Sequence, residues 1–189
     1  MKKGVKHNIK KNASYYLTLT VVGWIDIFSR KELRDLLVES LEYCTIHKGL
    51  NIYAFSIMTN HLHLIANTDE PFQLKDTIRD FKRHTSSSIF SWIQNNHESR
   101  KSWLLPFFLD AGNKDSKSKN IKVWQTGNHA IELFNPKFTW QKVKYVHNNP
   151  VKAGFVVEPE DWLYSSARNY AEMEPVLKGV HRITPPVNY

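Results

Sequence analysis

The chain has 189 residues, which is enough for one domain with a sizeable buried core. Its content of 41% hydrophobic and 13% aromatic residues is typical of a folded protein and excludes a disordered one. Lysine and arginine number 26 against 18 acidic residues, and the net charge of +8 favours a polyanionic partner such as nucleic acid, although basic domains without such a partner also exist.

Residues 1–13 are predicted to form a basic N-terminal arm that either contacts phosphates or is simply solvated. No apolar segment of a secretory signal follows this arm. No apolar run approaches the roughly 20 residues that a membrane span requires. Cys44 is the single cysteine, so no internal disulfide can form. We therefore expect a cytoplasmic protein with no membrane partner.

The first predicted elements are a strand and a helix. Residues 15–24 are rich in β-branched and aromatic side chains, which favours a strand. Residues 29–49 carry apolar side chains at helical spacing. Ser29 is the expected N-cap, Glu32 completes a capping box, and Gly49 ends the helix.

A β-hairpin and a second helix are predicted next. Two apolar runs, residues 51–59 and 61–68, meet at a tight turn of Thr59 and Asn60, with a longer loop or a bulge as the alternative. Residues 71–96 have the periodicity of an amphipathic helix, with a bend at residues 85–88 as one interpretation.

The second half of the chain is less regular. Residues 110–120 form a polar segment that predicts a loop, and residues 121–133 resemble a strand interrupted at residues 126–128. Residues 135–149 predict a helix, with Asn135 as N-cap, Pro136 at the first position and Pro150 ending the helix.

The order of these elements is that of an α+β, ferredoxin-like βαββαβ core with extra C-terminal helices. Its sheet is expected to be mainly antiparallel, with the helices on one face. We predict that the core spans residues 14–157 and that residues 158–189 form a C-terminal extension. This frame supports enzymes and binding modules alike, so the fold alone does not select a function.

His61 and His63 are two positions apart on a predicted strand, so both imidazoles point to one face while Leu62 and Leu64 point to the other. Two neighbouring nitrogen donors on a rigid strand make half of a metal site. The alternative is a solvated or hydrogen-bonded histidine pair, which is the commoner outcome for such a spacing. The pattern alone leaves both interpretations open.

Tyr145 and Asn149 are four residues apart on a predicted helix and therefore share a face. A phenol beside a carboxamide and a divalent cation would be a nucleophile next to its activator. The alternative is that Tyr145 is a half-buried aromatic residue that serves packing.

Four segments carry a family resemblance. AFSIMTNHLHLIAN (residues 54–67) resembles the His-hydrophobic-His motif of the single-tyrosine HUH transposases of the IS200-like superfamily. VKYVHNNPVKAGFV (residues 143–156) resembles the catalytic-tyrosine segment of their REP-associated tyrosine transposase branch. VWQTGNHAIEL and PEDWLYSSARNY resemble the segments on either side of that helix. The similarity covers residues 14–170, with the motifs in the family order.

This resemblance implies an enzyme that cleaves and rejoins single-stranded, hairpin-associated DNA through a covalent 5′-phosphotyrosine. It implies that Tyr145 is the nucleophile and that His61, His63 and Asn149 bind a divalent metal, Mg²⁺ or Mn²⁺. No nucleotide or other organic cofactor is expected. Related transposases act as a monomer or as a homodimer, and a location at the nucleoid follows from the DNA substrate.

Further predictions concern DNA contacts and alternative functions. The candidate phosphate contacts are basic residues near the motifs, each of which is alternatively a solvated charge: Lys82, Arg83, Lys142, Lys144 and Lys152. The main alternative function is an inactive or domesticated protein that binds single-stranded nucleic acid on the same fold. Another is a metal hydrolase that uses the histidine pair and a water nucleophile.

Overall fold

A computed structural model of the protein describes residues 13–115 and 121–187. Its strands are β1 (Tyr15–Thr20), β2 (Leu50–Ile57), β3 (His61–Thr68) and β4 (Ile131–Glu132). Its α-helices are α1 (Lys31–His47), α2 (Leu74–Asn95), α3 (Lys101–Asn113), α4 (Pro136–Lys152) and α5 (Ala167–Tyr170). The strands form one antiparallel sheet in the order β2-β3-β1-β4. The predicted ferredoxin-like α+β fold is confirmed. Apart from residue 13, the predicted basic arm lies outside the described residues.

The two faces of the sheet are covered by different helices. Side chains such as Leu17 and Leu64 lie in a large hydrophobic core together with residues of α1 and α2. The opposite face presents Tyr16 and Ile65 to Val143 and Val146 of α4. The prediction that the helices cover one face is therefore wrong, because the second face is also apolar in part and α4 buries its own apolar side chains there.

The predicted hairpin is confirmed, including the two-residue turn of Thr59 and Asn60. The Met58 backbone N–H donates to the His61 carbonyl at 2.8 Å and closes this turn. Phe28 and Val21 donate backbone hydrogen bonds to the two turn carbonyls, at 2.9 and 3.0 Å. β2 also contains a register irregularity between residues 52 and 54, as one alternative predicted. The turn that precedes His61 is thus tied to the rest of the fold.

The start of α4 is as predicted, whereas its end is not. Asn135 caps the helix by accepting a hydrogen bond from the Phe138 backbone N–H at 2.8 Å, with Pro136 at the first position. Pro150 does not end the helix, which continues to Lys152. Pro150 is buried and lies in the last turn, where a missing N–H interrupts little of the remaining hydrogen bonding. Asn149 is consequently a helical residue rather than a terminal one.

Other predicted boundaries need correction. α1 begins at Lys31 after Arg30, and no side chain caps it, so the capping box from Ser29 is wrong. Ser29 instead belongs to a short 3-10 turn. Gly49 follows the helix with φ of +57°, as a terminating glycine does. α2 runs as one continuous helix of 22 residues.

The sequence did not indicate α3, which includes residues 110–113 of the predicted loop and also contains Pro106. Residues 114 and 115 of that predicted loop follow the helix, and residues 116–120 lie outside the described residues. β1 ends at Thr20 rather than continuing to residue 24, and β4 is only two residues long. Within the described parts of the chain, none of the helices combines the length and apolarity needed to cross a bilayer.

The C-terminal segment adds to the free edge of β2. The Ile57 N–H donates to the Tyr164 carbonyl, and the Ser166 N–H donates to the Phe55 carbonyl, both at 2.9 Å. Further along, Leu177 is only 1% exposed and belongs to the large core. The division between a core and an extension stays a prediction, and parts of this segment contact β2 and the large core.

Candidate active site

The two histidines lie together on the α4 face of the sheet. The imidazole Nε2 atoms of His61 and His63 are 3.0 Å apart. His63 is only 4% exposed, whereas His61 is partly exposed. Leu62 and Leu64 point into the large core on the other side, as the period of two predicted. The rigid strand therefore holds two nitrogen donors against each other.

Asn60 determines which nitrogen of His61 carries the hydrogen. Its Nδ2 donates to the Trp24 backbone carbonyl at 3.2 Å, and a carbonyl can only accept. Its Oδ1 therefore faces His61 Nδ1, at 2.6 Å, and must accept a hydrogen from that nitrogen. This assignment leaves His61 Nε2 without a hydrogen, so its lone pair is directed towards His63 Nε2, 3.0 Å away.

Two hydroxyl groups of β1 support His63 from behind. Its Nδ1 lies 2.8 Å from Tyr16 Oη and 3.2 Å from Thr18 Oγ1. Thr18 pairs with His63 across the two strands, so its side chain shares the same face. Burial is the main cause that raises the pKa of Tyr16 to about 12, so this phenol is neutral at pH 7. The ring of His63 is thereby fixed in orientation.

Both imidazoles are neutral at pH 7. Burial lowers the pKa of His61 to about 4. Burial, and secondarily the neighbouring His61, lowers the pKa of His63 to about 3. Only a neutral imidazole has a lone pair for a metal ion, so the surroundings of the pair favour the protonation state that a ligand requires.

Tyr145 lies on α4 directly above this face of the sheet. Its ring is edge-on to His63 and to Tyr16, with centroid separations of 5.7 and 5.9 Å. The ammonium groups of Lys142 and Lys152 are each 5.4 Å from its centroid. Tyr145 is 40% exposed, so a polymer can approach the phenol from solvent. The phenol is thus accessible to solvent, lies near two ammonium groups and is adjacent to the histidine pair.

Asn149 joins the two parts of this arrangement. Its Nδ2 donates to the Tyr145 backbone carbonyl at 2.7 Å. An interaction with this side chain also partly offsets the lowering of the pKa of His63. Because the amide nitrogen is held by the Tyr145 carbonyl, the amide oxygen is the atom left for a further partner. The structure brings together His61, His63, Tyr145 and Asn149, which we call the candidate active site.

This donor set fits a divalent cation. Two nitrogens bound about 2.1 Å from one ion, in adjacent octahedral positions, would be about 3 Å apart, which agrees with the 3.0 Å between the two Nε2 atoms. The Asn149 oxygen supplies a third donor type that suits hard cations. In the described residues, no group of three or more histidine, cysteine, aspartate or glutamate side chains forms an alternative metal site.

The predicted basic contacts divide into two groups. Lys142 and Lys152 flank the phenol, and Lys144 lies on the same helix. Lys82 and Arg83 instead belong to α2, on the far side of the sheet. The Lys82 ammonium donates to the carbonyls of residues 125 and 127 and to Asn128, and burial lowers its pKa to about 8. These contacts fit a structural role for Lys82.

The sequence reasoning did not identify Tyr16, Thr18, Asn60 and Trp24, which surround the histidine pair. The alternation of side chains along β1 could have predicted that Tyr16 and Thr18 share one face of the sheet, because both lie on the face opposite the leucines of that strand. The pairing register of β1 with β3 was still needed to place these hydroxyls behind His63.

Comparison with known proteins identifies the class. Residues 10–125 match the family model described as IS200-like transposase, which covers more than half of the chain. The protein is therefore a transposase, a DNA-processing enzyme. More narrowly, the chain belongs to the IS200-like transposase family, as its motifs predicted. No curated protein matches the chain.

The solved structures that are similar to it include the following two. A REP-associated tyrosine transposase bound to a REP hairpin matches with a TM-score of 0.62 and 17% identity, over 96% of this chain and 99% of that one. A putative transposase from Deinococcus radiodurans R1 matches with a TM-score of 0.44 and 18% identity, over 78% of this chain and 97% of that one. The first match shows a shared fold over nearly the whole chain.

Proposed function

We propose that this transposase cleaves and rejoins single-stranded DNA with Tyr145 as its nucleophile. The observation that carries the proposal is the placement of Tyr145 and Asn149, on one helix, above the paired Nε2 atoms of His61 and His63. A nucleophile, a phosphate-binding donor set and two flanking lysines then meet at one accessible point.

The proposed reaction is a direct displacement at phosphorus. Tyr145 Oη forms a bond to the phosphorus as its proton leaves to solvent, and the bond from phosphorus to the 3′ oxygen breaks. The leaving oxygen takes up a proton and becomes a free 3′-OH, while the 5′ phosphate stays on the tyrosine. The phosphodiester bond is conserved, so attack by a 3′-OH on this adduct reverses the step and joins strands.

His61, His63 and Asn149 would hold the divalent cation, and their mixed nitrogen and oxygen donors suit Mn²⁺ somewhat better than Mg²⁺. When bound, such an ion offsets negative charge on the scissile phosphate. Lys142 and Lys152 contribute fixed positive charge on the two sides of the phenol and attract the same phosphate.

The proposed substrate is single-stranded DNA that carries a hairpin. The net charge of +8 favours a nucleic-acid partner, and the REP-associated transposase of the same fold is bound to a REP hairpin. With such a substrate, the protein would act at the nucleoid in the cytoplasm. Light scattering in solution will decide between the predicted monomer and homodimer.

Denaturing gels test the proposal directly. The protein is incubated with Mn²⁺ and a pool of labelled single strands that contain a hairpin with randomised flanks. The wild type should give a covalent protein–DNA band, and Tyr145→Phe should give none. Tyr43→Phe is a matched control, because Tyr43 is an exposed tyrosine on α1.

The same experiment separates the alternatives. An adduct that persists in Tyr145→Phe would refute the assignment of the nucleophile. A strand that is retarded on native gels but never cut would identify a binding protein on this fold. Free cleaved ends without any adduct would identify a hydrolase with a water nucleophile.

A further inference from the structure

Trp24 is a large exposed side chain beside the candidate active site. It lies in the turn that follows β1 and is 62% exposed. Its ring meets the ring of His61 edge-on, with a centroid separation of 6.3 Å. An exposed indole is the side chain best suited to stacking on a nucleobase, because every base offers a π-face.

The backbone holds this indole in a strained conformation. Trp24 has φ of +57° and follows Gly23, which has φ of +67°. A bulky residue seldom adopts such an angle, and such strain is concentrated at functional sites. The segment is also closely packed, since a Cβ atom at Gly23 would lie 2.8 Å from the ring of Phe107. The chain thus maintains an unfavourable conformation at a residue whose side chain faces solvent.

The position of Trp24 is coupled to that of His61. The carboxamide of Asn60 donates to the Trp24 carbonyl at 3.2 Å and contacts His61 Nδ1 at 2.6 Å. One side chain therefore sets both the tautomer of the proposed metal ligand and the position of the tryptophan backbone. A platform that is held in this way has a defined distance from the proposed phosphate position.

The ring contacts give an order along this face of the protein. The ring centroids are 6.3 Å apart for Trp24 and His61, 4.5 Å for His61 and His63, and 5.7 Å for His63 and Tyr145. The nucleophile is next to one histidine and the tryptophan is next to the other. Displacement at phosphorus is in line, so the leaving oxygen departs on the side opposite the nucleophile. A phosphate bound at the histidine pair would therefore have Tyr145 near one end of the pair and Trp24 near the other, where we expect the leaving oxygen.

We propose that the indole of Trp24 stacks on the unpaired base of the nucleotide that carries the leaving 3′ oxygen. This inference rests on the proposed function, in which Tyr145 attacks the phosphate from the other end. It assigns a nucleobase-binding position that tolerates any base. It also gives the released 3′-OH end a contact that keeps it near the phosphotyrosine for rejoining.

The experiment is a cycle of protein and DNA variants. A binding strand is selected from the randomised hairpin pool with Tyr145→Phe, so that selection does not depend on cutting. An abasic nucleotide is then moved along the unpaired part of this strand. Affinity is measured by fluorescence anisotropy for Tyr145→Phe alone and in combination with Trp24→Ala, Trp24→Phe or the surface control Tyr43→Ala.

Loss of one stacked base should weaken binding by about 5- to 150-fold. Trp24→Ala should weaken binding of the intact strand by this amount. When the base at one particular position is already missing, Trp24→Ala should weaken binding of that abasic strand little further. Trp24→Phe should recover part of the affinity, and Tyr43→Ala should leave the abasic profile unchanged. With wild-type protein, the sensitive position should lie immediately on the 3′-OH side of the cut, and Trp24→Ala should slow rejoining more than cleavage.

Two results would overturn the inference. One is an abasic profile that Trp24→Ala does not alter at any single position, which would show a loss of affinity unrelated to stacking. The other is a sensitive position on the phosphotyrosine side of the cut. Failure of the proposed function would look different, because wild-type protein would then form no adduct, while the binding cycle would still report whether Trp24 stacks on a base.

Discussion

Replacement of Asn60 by alanine should weaken metal binding without unfolding the protein. The substitution removes the acceptor 2.6 Å from His61 Nδ1 and the donor 3.2 Å from the Trp24 carbonyl. Each hydrogen bond contributes about 1 kcal/mol net, so the expected loss of stability is about 2 kcal/mol. The protein should therefore remain folded at room temperature.

The functional effect should be larger than the effect on stability. Without the Asn60 acceptor, the hydrogen of His61 is no longer held on Nδ1, and the Nε2 lone pair is lost in part of the molecules. Partners behind metal ligands typically contribute about 10- to 100-fold to metal affinity or activity. We expect a rise of this size in the Kd for Mn²⁺, measured by calorimetry, with a parallel rise in the Mn²⁺ concentration needed for adduct formation.

Asn96→Ala serves as the matched control, because Asn96 also donates to a backbone carbonyl but lies at the end of α2. It should lose a similar hydrogen bond and leave the Kd for Mn²⁺ unchanged. Equal Mn²⁺ affinity in wild type and Asn60→Ala, with both proteins folded by circular dichroism, would refute the role assigned to Asn60.

Three further predictions concern stability and charge. Burial lowers the pKa of His147 to about 4. The unfolded chain therefore binds more protons between about pH 6.5 and pH 4, and the free energy of unfolding falls as the pH drops through this window. His147→Gln should remove up to about 3 kcal/mol of that loss in urea titrations at several pH values, and an unchanged pH slope would contradict this. Lys82→Ala should lower the thermal unfolding temperature because it releases the carbonyls that Lys82 binds. Lys142→Ala should instead leave that temperature nearly unchanged and slow adduct formation at low salt. The reverse pattern would show that Lys82 contacts DNA. Gly49→Ala should destabilise the protein by at least about 1 kcal/mol in urea unfolding. The reason is that Gly49 has φ of +57° and that the new Cβ would lie 2.7 Å from the Phe72 ring. Equal stability would show that the helix end relaxes freely.

His147 illustrates how far helical spacing alone carried the prediction. It lies two residues from Tyr145 on α4, so the helical period by itself directs it away from the nucleophile. In the structure its Nε2 lies 2.8 Å from Ser166 Oγ, and its ring packs edge-on against Tyr170. The direction followed from the helical period. The partner did not, because the C-terminal segment reaches β2 and α4 only through contacts between distant parts of the chain.

Local rules determined the parts of this protein that depend on neighbours in sequence. The period of two in β3 placed His61 and His63 on one face, and the helical period placed Tyr145 with Asn149. The side-chain cap of Asn135 was also a local feature, confirmed by its bond to Phe138. Each of these depends only on backbone geometry and on residues a few positions apart.

Tertiary structure decided which of these faces meet. α4 lies on the histidine face because Val143 and Val146 bury themselves against the apolar positions of that face, and helical periodicity does not say which surface a helix will cover. Pro150 lies inside α4, and Asn149 therefore has a helical position. The strand register and the turn bonds, which join residues far apart in sequence, placed Tyr16 behind His63 and Trp24 beside His61. A histidine pair that the sequence left open between two interpretations thereby becomes the base of a candidate active site.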